Sequence, residues 1–255
     1  MNPIKLITPD FFIGKSLMVL KTAVDLLIMI AKSPSLPTLR LAKLIWIVKP
    51  NFTMVKCKNL INLYNLVQTA NSMNLDGDIV ECGVWNGGSA ALMGFASRKN
   101  DAANNRMLWL FDSFAGLPPP GPKDGITENK YYFQGLNEGS VQQVEKAFQK
   151  LSLPMDSVKI VPGWFENTLT NAKIDRIAIL HIDADWYSSV MSVLQTFYKK
   201  VVPGGFVVLD DYGYWEGCNR AFEDFVSQNR IEGLRLKQVD STGAYFQKPF
   251  RLSNH

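Results

Sequence analysis

Four carboxylates close two short apolar runs of this chain: His181-Ile182-Asp183-Ala184-Asp185 ends one, and Asp210-Asp211 ends the next. If the runs are neighbouring strands, their carboxyl ends bring like charges together, and these repel unless protons or a cation compensate them. A donor set made only of oxygen suits a hard cation, magnesium first, with manganese or calcium behind it. Asp183, Asp210 and Asp211 can form a three-carboxylate face with positions left for water or substrate. The competing reading is a set of solvated strand ends and caps.

Scarcity closes other chemistries. The 255 residues include two histidines, and since His255 ends the chain, His181 is the one internal imidazole. A zinc site with two histidines cannot be built from it, and a Ser-His-Asp triad would have to use it. Alternation places His181 on the same side of its strand as Asp183, where a satisfied core histidine is expected. Cys57, Cys82 and Cys218 form no CxxC pair and have no activating base nearby in sequence, which reads as packing cysteines in a reducing compartment. Lys plus Arg number 27 against 23 Asp plus Glu, a net charge of +4 with no run of five like charges. No nucleic-acid partner is signalled.

Two more constellations sit at strand ends. In Glu81-Cys82-Gly83-Val84-Trp85-Asn86-Gly87-Gly88-Ser89, glycines let the backbone approach a ligand, but Trp85 stands where a dinucleotide fingerprint wants its second glycine. A nucleoside without phosphates is preferred. Asp112 closes the following run, at the point where a ribose offers two hydroxyls; its alternative role is to cap the next turn.

The elements that must position these residues follow from pattern. Apolar runs at 78–83, 107–112, 158–161, 177–183 and 205–210 alternate with stretches able to hold helices, which predicts a parallel sheet covered on both faces. Runs at 234–239 and 244–247 flank the turn Asp240-Ser241-Thr242-Gly243 and predict an antiparallel pair on one side. Residues 1 to about 50 read as short helices punctuated by Pro34 and Pro37 and closed by Pro50. Another helix follows, with Cys57, Leu60, Ile61, Tyr64 and Val67 at helical spacing, ending near Asp76-Gly77. The division predicted is an N-terminal helical extension or lid, 1–75, and an α/β domain, 76–255. Ser16 to Ala31 is apolar but too short for a bilayer and carries Lys21 and Asp25, so it is expected to pack or to form an oligomer, without membrane contact. The opening MNPIKLITPDFFIGK has no apolar core of a secretory signal, so the cytoplasm is the expected location. The proline-rich segment Ser113 to Gly125 leaves the carboxyl end of a strand and reads as either a surface loop or a mobile lid.

Taken in order, Glu81 to Ser89 (ECGVWNGGS), Asp112 to Pro118 (DSFAGLP), Asp183 to Tyr187 (DADWY) and Pro203 to Tyr212 (PGGFVVLDDY) resemble the macrocin O-methyltransferase family. The likeness runs from about Pro50 to Phe246, includes Pro50-Asn51-Phe52-Thr53-Met54, and is less clear over residues 1 to about 45. The resemblance implies a Rossmann-like class I methyltransferase: a seven-stranded, mostly parallel sheet with one antiparallel strand near its edge, helices on both faces, and the helical extension. It implies S-adenosylmethionine held by Thr53, Met54, Glu81, Gly83, Val84 and Trp85, with Asp112, Ser113 and Gly116 at the ribose and Ser140, Gly163, Trp164 and Phe165 around the adenine. Asp183, Asp210 and Asp211 match metal ligands, for Mg2+ or Mn2+, and Asp183 also matches a proton acceptor. The Asn137-Glu138 neighbourhood matches substrate-facing positions.

The function expected is thus methyl transfer to a hydroxyl of a sugar or glycosylated small molecule by a homo-oligomer. A catechol-like phenol would use the same metal logic. Two other classes compete: an oxygenase related to cephalosporin hydroxylases, which share a similar nucleoside fold, and a non-catalytic protein, either binding S-adenosylmethionine or serving as a scaffold, with helix 16–31 as its partner surface.

Overall fold

The computed structural model describes residues 15–98 and 106–250; the opening segment and His255 lie outside the described residues. Three helices come first. Helix α1 (Lys15–Lys32) covers the expected Ser16 to Ala31 stretch. Ser35 starts α2 (Leu36–Phe52) by accepting a hydrogen bond from the Thr38 amide, and Pro37 sits in the first turn, where its missing N–H costs nothing. Pro50 does not close this helix: the chain stays helical to Phe52. In the last turn a proline removes only one intrahelical bond, the one its missing N–H would give to the residue four back, Trp46. Helix α3 (Cys57–Ser72) follows and buries Leu60, Leu63 and Val67 completely.

The α/β part then alternates: β1 (Asp78–Cys82), α4 (Gly88–Arg98), β2 (Leu108–Asp112), α5 (Ile126–Tyr131), α6 (Val141–Lys150), β3 (Val158–Pro162), α7 (Phe165–Thr168), β4 (Ile177–Ile182), α8 (Tyr187–Phe197), β5 (Val201–Leu209), α9 (Glu216–Gln228), β6 (Lys237–Gln238) and β7 (Ala244–Gln247). The sheet has seven strands in the order β3-β2-β1-β4-β5-β7-β6. Strands β1 to β5 pair in parallel; β7 runs antiparallel to both β5 and β6, which makes it the one reversed strand. The order changes direction between β1 and β4, the place where open α/β sheets bind ligands outside the carboxyl ends of their strands.

Alternation along the strands sends Ile79, Leu110, Ile179 and Val208 to one face, packed with α2, α3, α4 and α6, and Val80, Phe111, Leu180 and Val207 to the other, packed with α8 and α9. The N-terminal helices share the first of these cores, since Ile45, Val48, Leu60 and Leu63 lie in one cluster with Leu92 and Phe148. Among the described residues, no helix is long and apolar enough to cross a membrane.

The segment after β2, readable as surface loop or lid, is tied to the body at several points. The Trp186 indole donates to the Pro118 carbonyl at 2.7 Å. Asp124 accepts from the amides of Gly121 and Tyr187, both at 2.7 Å, and Glu128 accepts from the Gly217 amide at 3.0 Å. Tyr187 and Gly217 stand in the first turns of α8 and α9, so both carboxylates satisfy N–H groups that a helix start leaves unpaired. Asp124→Ala is expected to cost about 1–3 kcal/mol, because it strips two partly buried amides of their acceptor. Urea denaturation measures the loss, and limited proteolysis should show earlier cleavage within 113–125.

Candidate active site at the carboxyl edge of the sheet

Strands β4 and β5 end in step, with Ile182 opposite Leu209, so the next residues, Asp183 and Asp210, emerge side by side. Asp183, Asp210 and Asp211 each bring a carboxylate oxygen within 4.8 Å of the others. Burial pushes the Asp183 and Asp211 carboxyls well above the usual carboxylate range, and the charges of their acidic neighbours push the same way. Asp210 is also raised by burial, against the pull of His181 and of a 2.9 Å hydrogen bond from the Asn59 side-chain amide. The Oδ2 of Asp211 is buried without a hydrogen-bond partner. Three crowded acids and an orphaned oxygen are what a hard cation would satisfy, so this donor set fits a divalent metal of the magnesium type. Asp185, the fourth acid, lies outside the trio: its backbone turns left-handed at φ 54° and its Oδ1 accepts from the Trp215 indole at 2.6 Å. Burial pushes its pKa up to about 7.

His181 is a core residue, as its strand position suggests. It faces Glu81 across the β1–β4 pairing, and Nδ1 lies 2.8 Å from the Glu81 carboxylate with both side chains fully buried. Glu81, matched by resemblance to a cofactor-binding position, therefore spends one oxygen on His181, while Oε2 stays buried and unpartnered. The cysteines are packing residues: all three are buried, and burial raises Cys57 to about 11 and Cys82 and Cys218 well above the ordinary thiol value.

At the glycine-rich turn after β1, Gly83 has φ 89° and lies so close to β4 that an added Cβ would stand 1.7 Å from the Asp183 carbonyl oxygen. Trp85 adopts φ 49°, a conformation costly for a bulky residue, and three hydrogen bonds hold the turn. The amides of Val84 and Trp85 donate to Asp112 Oδ2 at 2.7 and 2.8 Å, and the Trp85 indole donates to the Glu138 carbonyl at 3.0 Å. The N–H groups that a pyrophosphate would use are taken by an internal carboxylate. Asp112 also caps the next turn, as its Oδ1 accepts from the Phe114 amide at 2.7 Å. Oδ1, with one amide bonded, keeps a second lone pair for an incoming hydroxyl, whereas Oδ2 already accepts two amides.

Two cavities meet at Asp183. One is lined by Thr53, Met54, Val84, Trp85, Leu136, Asn137, Tyr214 and Trp215 together with Asp183, Asp210 and Asp211. The other is lined by Gly83, Asp112, Ser113, Gly116, Trp164, Phe165, Ala184 and Ser188, again with Asp183. Leu117 is common to both. The positions expected to share one cofactor are thus divided between two cavities. Gly163 acts through its backbone, with φ 132° and an amide bonded to the Asp112 carbonyl at 2.9 Å, and so delivers Trp164 and Phe165 to the rim. Ser140 lines neither cavity: its hydroxyl caps α6 by accepting from the Gln143 amide. Asn137 does reach the site. Asn59, Leu117, Tyr214 and Trp215 went unnoticed in the sequence; for the last two, aromatic residues directly after the Asp210-Asp211 pair were the available signal.

Known proteins resemble this chain over most of its length. Residues 21–248 match the family model described as Macrocin-O-methyltransferase (TylF). Demethyldecarbamoylnovobiocin O-methyltransferase of Streptomyces niveus is 34% identical over 199 residues, 77% of this chain and 75% of the relative. Mycinamicin III 3''-O-methyltransferase of Micromonospora griseorubida is 31% identical over 201 residues, 77% of this chain and 78% of the relative. Among solved structures, the O-methyltransferase NovP superimposes with a TM-score of 0.70 at 33% identity, covering 78% of this chain and 82% of its own. The calicheamicin methyltransferase CalS11, at 19% identity and a TM-score of 0.59 over 89% of this chain and 91% of its own, shares the fold.

Proposed function

We propose, because this chain belongs to the macrocin O-methyltransferase family, that it transfers the methyl group of S-adenosylmethionine to a hydroxyl of a sugar or glycosylated small molecule, with a divalent cation, magnesium first, as cofactor. A relative of Streptomyces olivaceus, 34% identical over 199 residues, supports the acceptor class, since its name, 8-demethyl-8-(2,3-dimethoxy-alpha-L-rhamnosyl)-tetracenomycin-C 4'-O-methyltransferase, carries a rhamnosyl group. The observation that carries the reading is the place of Asp183, the acid shared by two cavities and by the three-carboxylate cluster. In this reading the nucleoside occupies the cavity with Asp112, Ser113, Gly116, Trp164 and Phe165, and the acceptor enters the one with Asn137, Tyr214 and Trp215. Residues 76–255 carry the cofactor, and the extension 1–75 contributes Thr53 and Met54 to the acceptor wall.

Methyl transfer from a sulfonium needs the acceptor oxygen in line with the methyl carbon and the departing sulfur, and holding two reactants in such a geometry is worth up to about 7–11 kcal/mol. The fixed walls supply it: Gly83 and Asp183 are in close contact, and the 113–125 loop is pinned through Pro118 to Trp186 and through Asp124 to Tyr187. Asp183, Asp210 and Asp211 would hold the cation, whose contribution is to make a nearby hydroxyl easier to deprotonate. Asp183 accepts that proton at a carboxylate oxygen. Asn59 orients Asp210 through its amide, so Asn59→Ala is expected to weaken Mn2+ binding about 10- to 100-fold, read by calorimetry.

The deciding experiment incubates the protein with a cell extract and S-adenosylmethionine labelled in its methyl group, then seeks by mass spectrometry the product that gains the label. A labelled glycoside is the expected result. Cofactor binding without transfer to any hydroxylated acceptor would favour the hydroxylase class, and no binding would favour a scaffold.

A further inference from the structure

Another cavity adjoins the one assigned to the acceptor. Four lysines line it, brought together from three helices and a connection: Lys21 on α1, Lys49 on α2, Lys56 just before α3 and Lys58 in its first turn, against Asp25 and Asp240. Lys56 also lines the cavity that holds Asp183, Asp210 and Asp211, so the two meet there. Its ammonium donates to the Ser241 hydroxyl at 3.0 Å, a neutral partner that steers the charge without cancelling it. Lys49 is 4% exposed and donates to the Met54 carbonyl at 2.9 Å, close enough to the carboxylate cluster that its charge pulls the Asp210 carboxyl down. Lys58 is exposed and has no ion-pair partner among the described residues. Of the two acids, Asp240 is committed to its own turn, where Oδ1 accepts from the Thr242 and Gly243 amides and from the Thr242 hydroxyl, and Asp25 faces the buried Cys57 thiol.

We infer, resting on the methyl-transfer reading above, that this lysine cavity binds a phosphoryl group carried by the acceptor, so that the sugar is methylated as a phosphate or diphosphate ester. Lysines drawn together repel one another as the carboxylates next door do, and a bound anion relieves them. Four lysines against two aspartates leave an excess of two positive charges. That matches the charge of about −1.5 to −2 on a phosphate monoester at neutral pH. The residue type matters as well. Among the described residues no arginine lines the cavity, and it is arginine whose planar fork fits a carboxylate. Ammonium groups arriving from separate elements can instead converge on the oxygens of a tetrahedral anion from several sides. With the phosphoryl group held beyond Lys56, a sugar hydroxyl is left to enter the cavity of Asp183.

Calorimetry of the full chain with inorganic pyrophosphate, in excess EDTA so that no metal bridges it, tests the site without turnover. Binding is expected, weakened by high salt. Lys56→Ala with Lys58→Ala should weaken it about tenfold, and Lys58→Ala alone, which breaks no hydrogen bond, about threefold. Lys146→Ala with Lys150→Ala, the same charge change on the exposed side of α6, should leave it unaltered. Far-UV circular dichroism checks that each variant folds. A second arm identifies the acceptor: the methyl-labelled product from the cell extract should be retained by an anion exchanger. Alkaline phosphatase alone releases a sugar phosphate, whereas a nucleotide sugar is released only after a phosphodiesterase has acted. No pyrophosphate binding at millimolar concentration, or equal weakening by the α6 pair and the cavity pair, would overturn the inference. A labelled product that passes the exchanger as a neutral glycoside would also overturn it while leaving methyl transfer intact, and one retained but resistant to both enzymes would give the cavity to a carboxylate. Pyrophosphate bound at the lysines with no label transferred would strike the methyl-transfer reading instead, and with it the role assigned to the site.

Discussion

Asp183→Asn is expected to lower turnover by about a thousandfold or more while S-adenosylmethionine still binds. Asparagine keeps the shape of the side chain but can neither take a proton from a hydroxyl nor add its charge to a cation site. Cofactor contacts should survive, because Asp183 is one wall among the residues of its cavity and Asp112, Ser113, Trp164 and Phe165 are untouched. Stability should be equal or slightly higher without metal, since the substitution removes one of three crowded like charges. Transfer of labelled methyl, calorimetry with the cofactor and urea denaturation measure the three quantities. Wild-type turnover in the variant, or in the native protein under excess chelator, would remove Asp183 and the cation from the mechanism.

Gly83→Ala is expected to cost at least about 4 kcal/mol, at the edge of what a domain of this size tolerates. Two separate effects add. The residue sits at φ 89°, a conformation that side chains rarely adopt, and its Cβ would meet the carbonyl oxygen of Asp183 at 1.7 Å and the carbonyl carbon at 2.6 Å. Both are backbone atoms of β4's end, so relief requires β1 and β4 to part exactly where Asp183 leaves the sheet. Gly233→Ala provides the control: φ is 71° there, but nothing lies within 4 Å of the added carbon. It should cost only the backbone term, about 1–2 kcal/mol. Urea midpoints of the two variants separate the terms, and equal midpoints would show that β1 and β4 are not in the contact described. Whatever Gly83→Ala protein folds should also lose methyl transfer, since its strain falls on Asp183.

Much of the architecture is legible from local pattern. The runs at 78–83, 107–112 and 158–161 lie within one residue of β1, β2 and β3. Strand β5 begins at Val201, four residues before the run that marked it, because Val201 joins the sheet through a break in the β4 register between Ile177 and Ile179. The run 234–239 pairs only at Lys237 and Gln238, where the sheet ends. Glu81 and Ser140 show the limit of matching positions one by one. Glu81 stands two residues before a ligand turn, yet its nearest partner is a histidine 100 residues away. Ser140 sits at the start of a helix, and its hydroxyl serves that helix.

By itself, the sequence narrowed the chemistry open to this protein: with one internal histidine and no cysteine pair, the groups available to act as a base or to hold a hard cation are first of all carboxylates, and these gather at the ends of apolar runs. It also determined which residues end strands, because alternation and turn signals act over a few neighbouring positions. Only the tertiary structure decided that β4 and β5 end in step, that Asp183 stands between two cavities, that Asp112 closes the glycine-rich turn, and that Asn59, 151 residues from Asp210, holds that carboxylate. Those facts depend on register and packing between distant segments. Such contacts are set by which buried surfaces and polar groups must satisfy one another, and no local spacing encodes that.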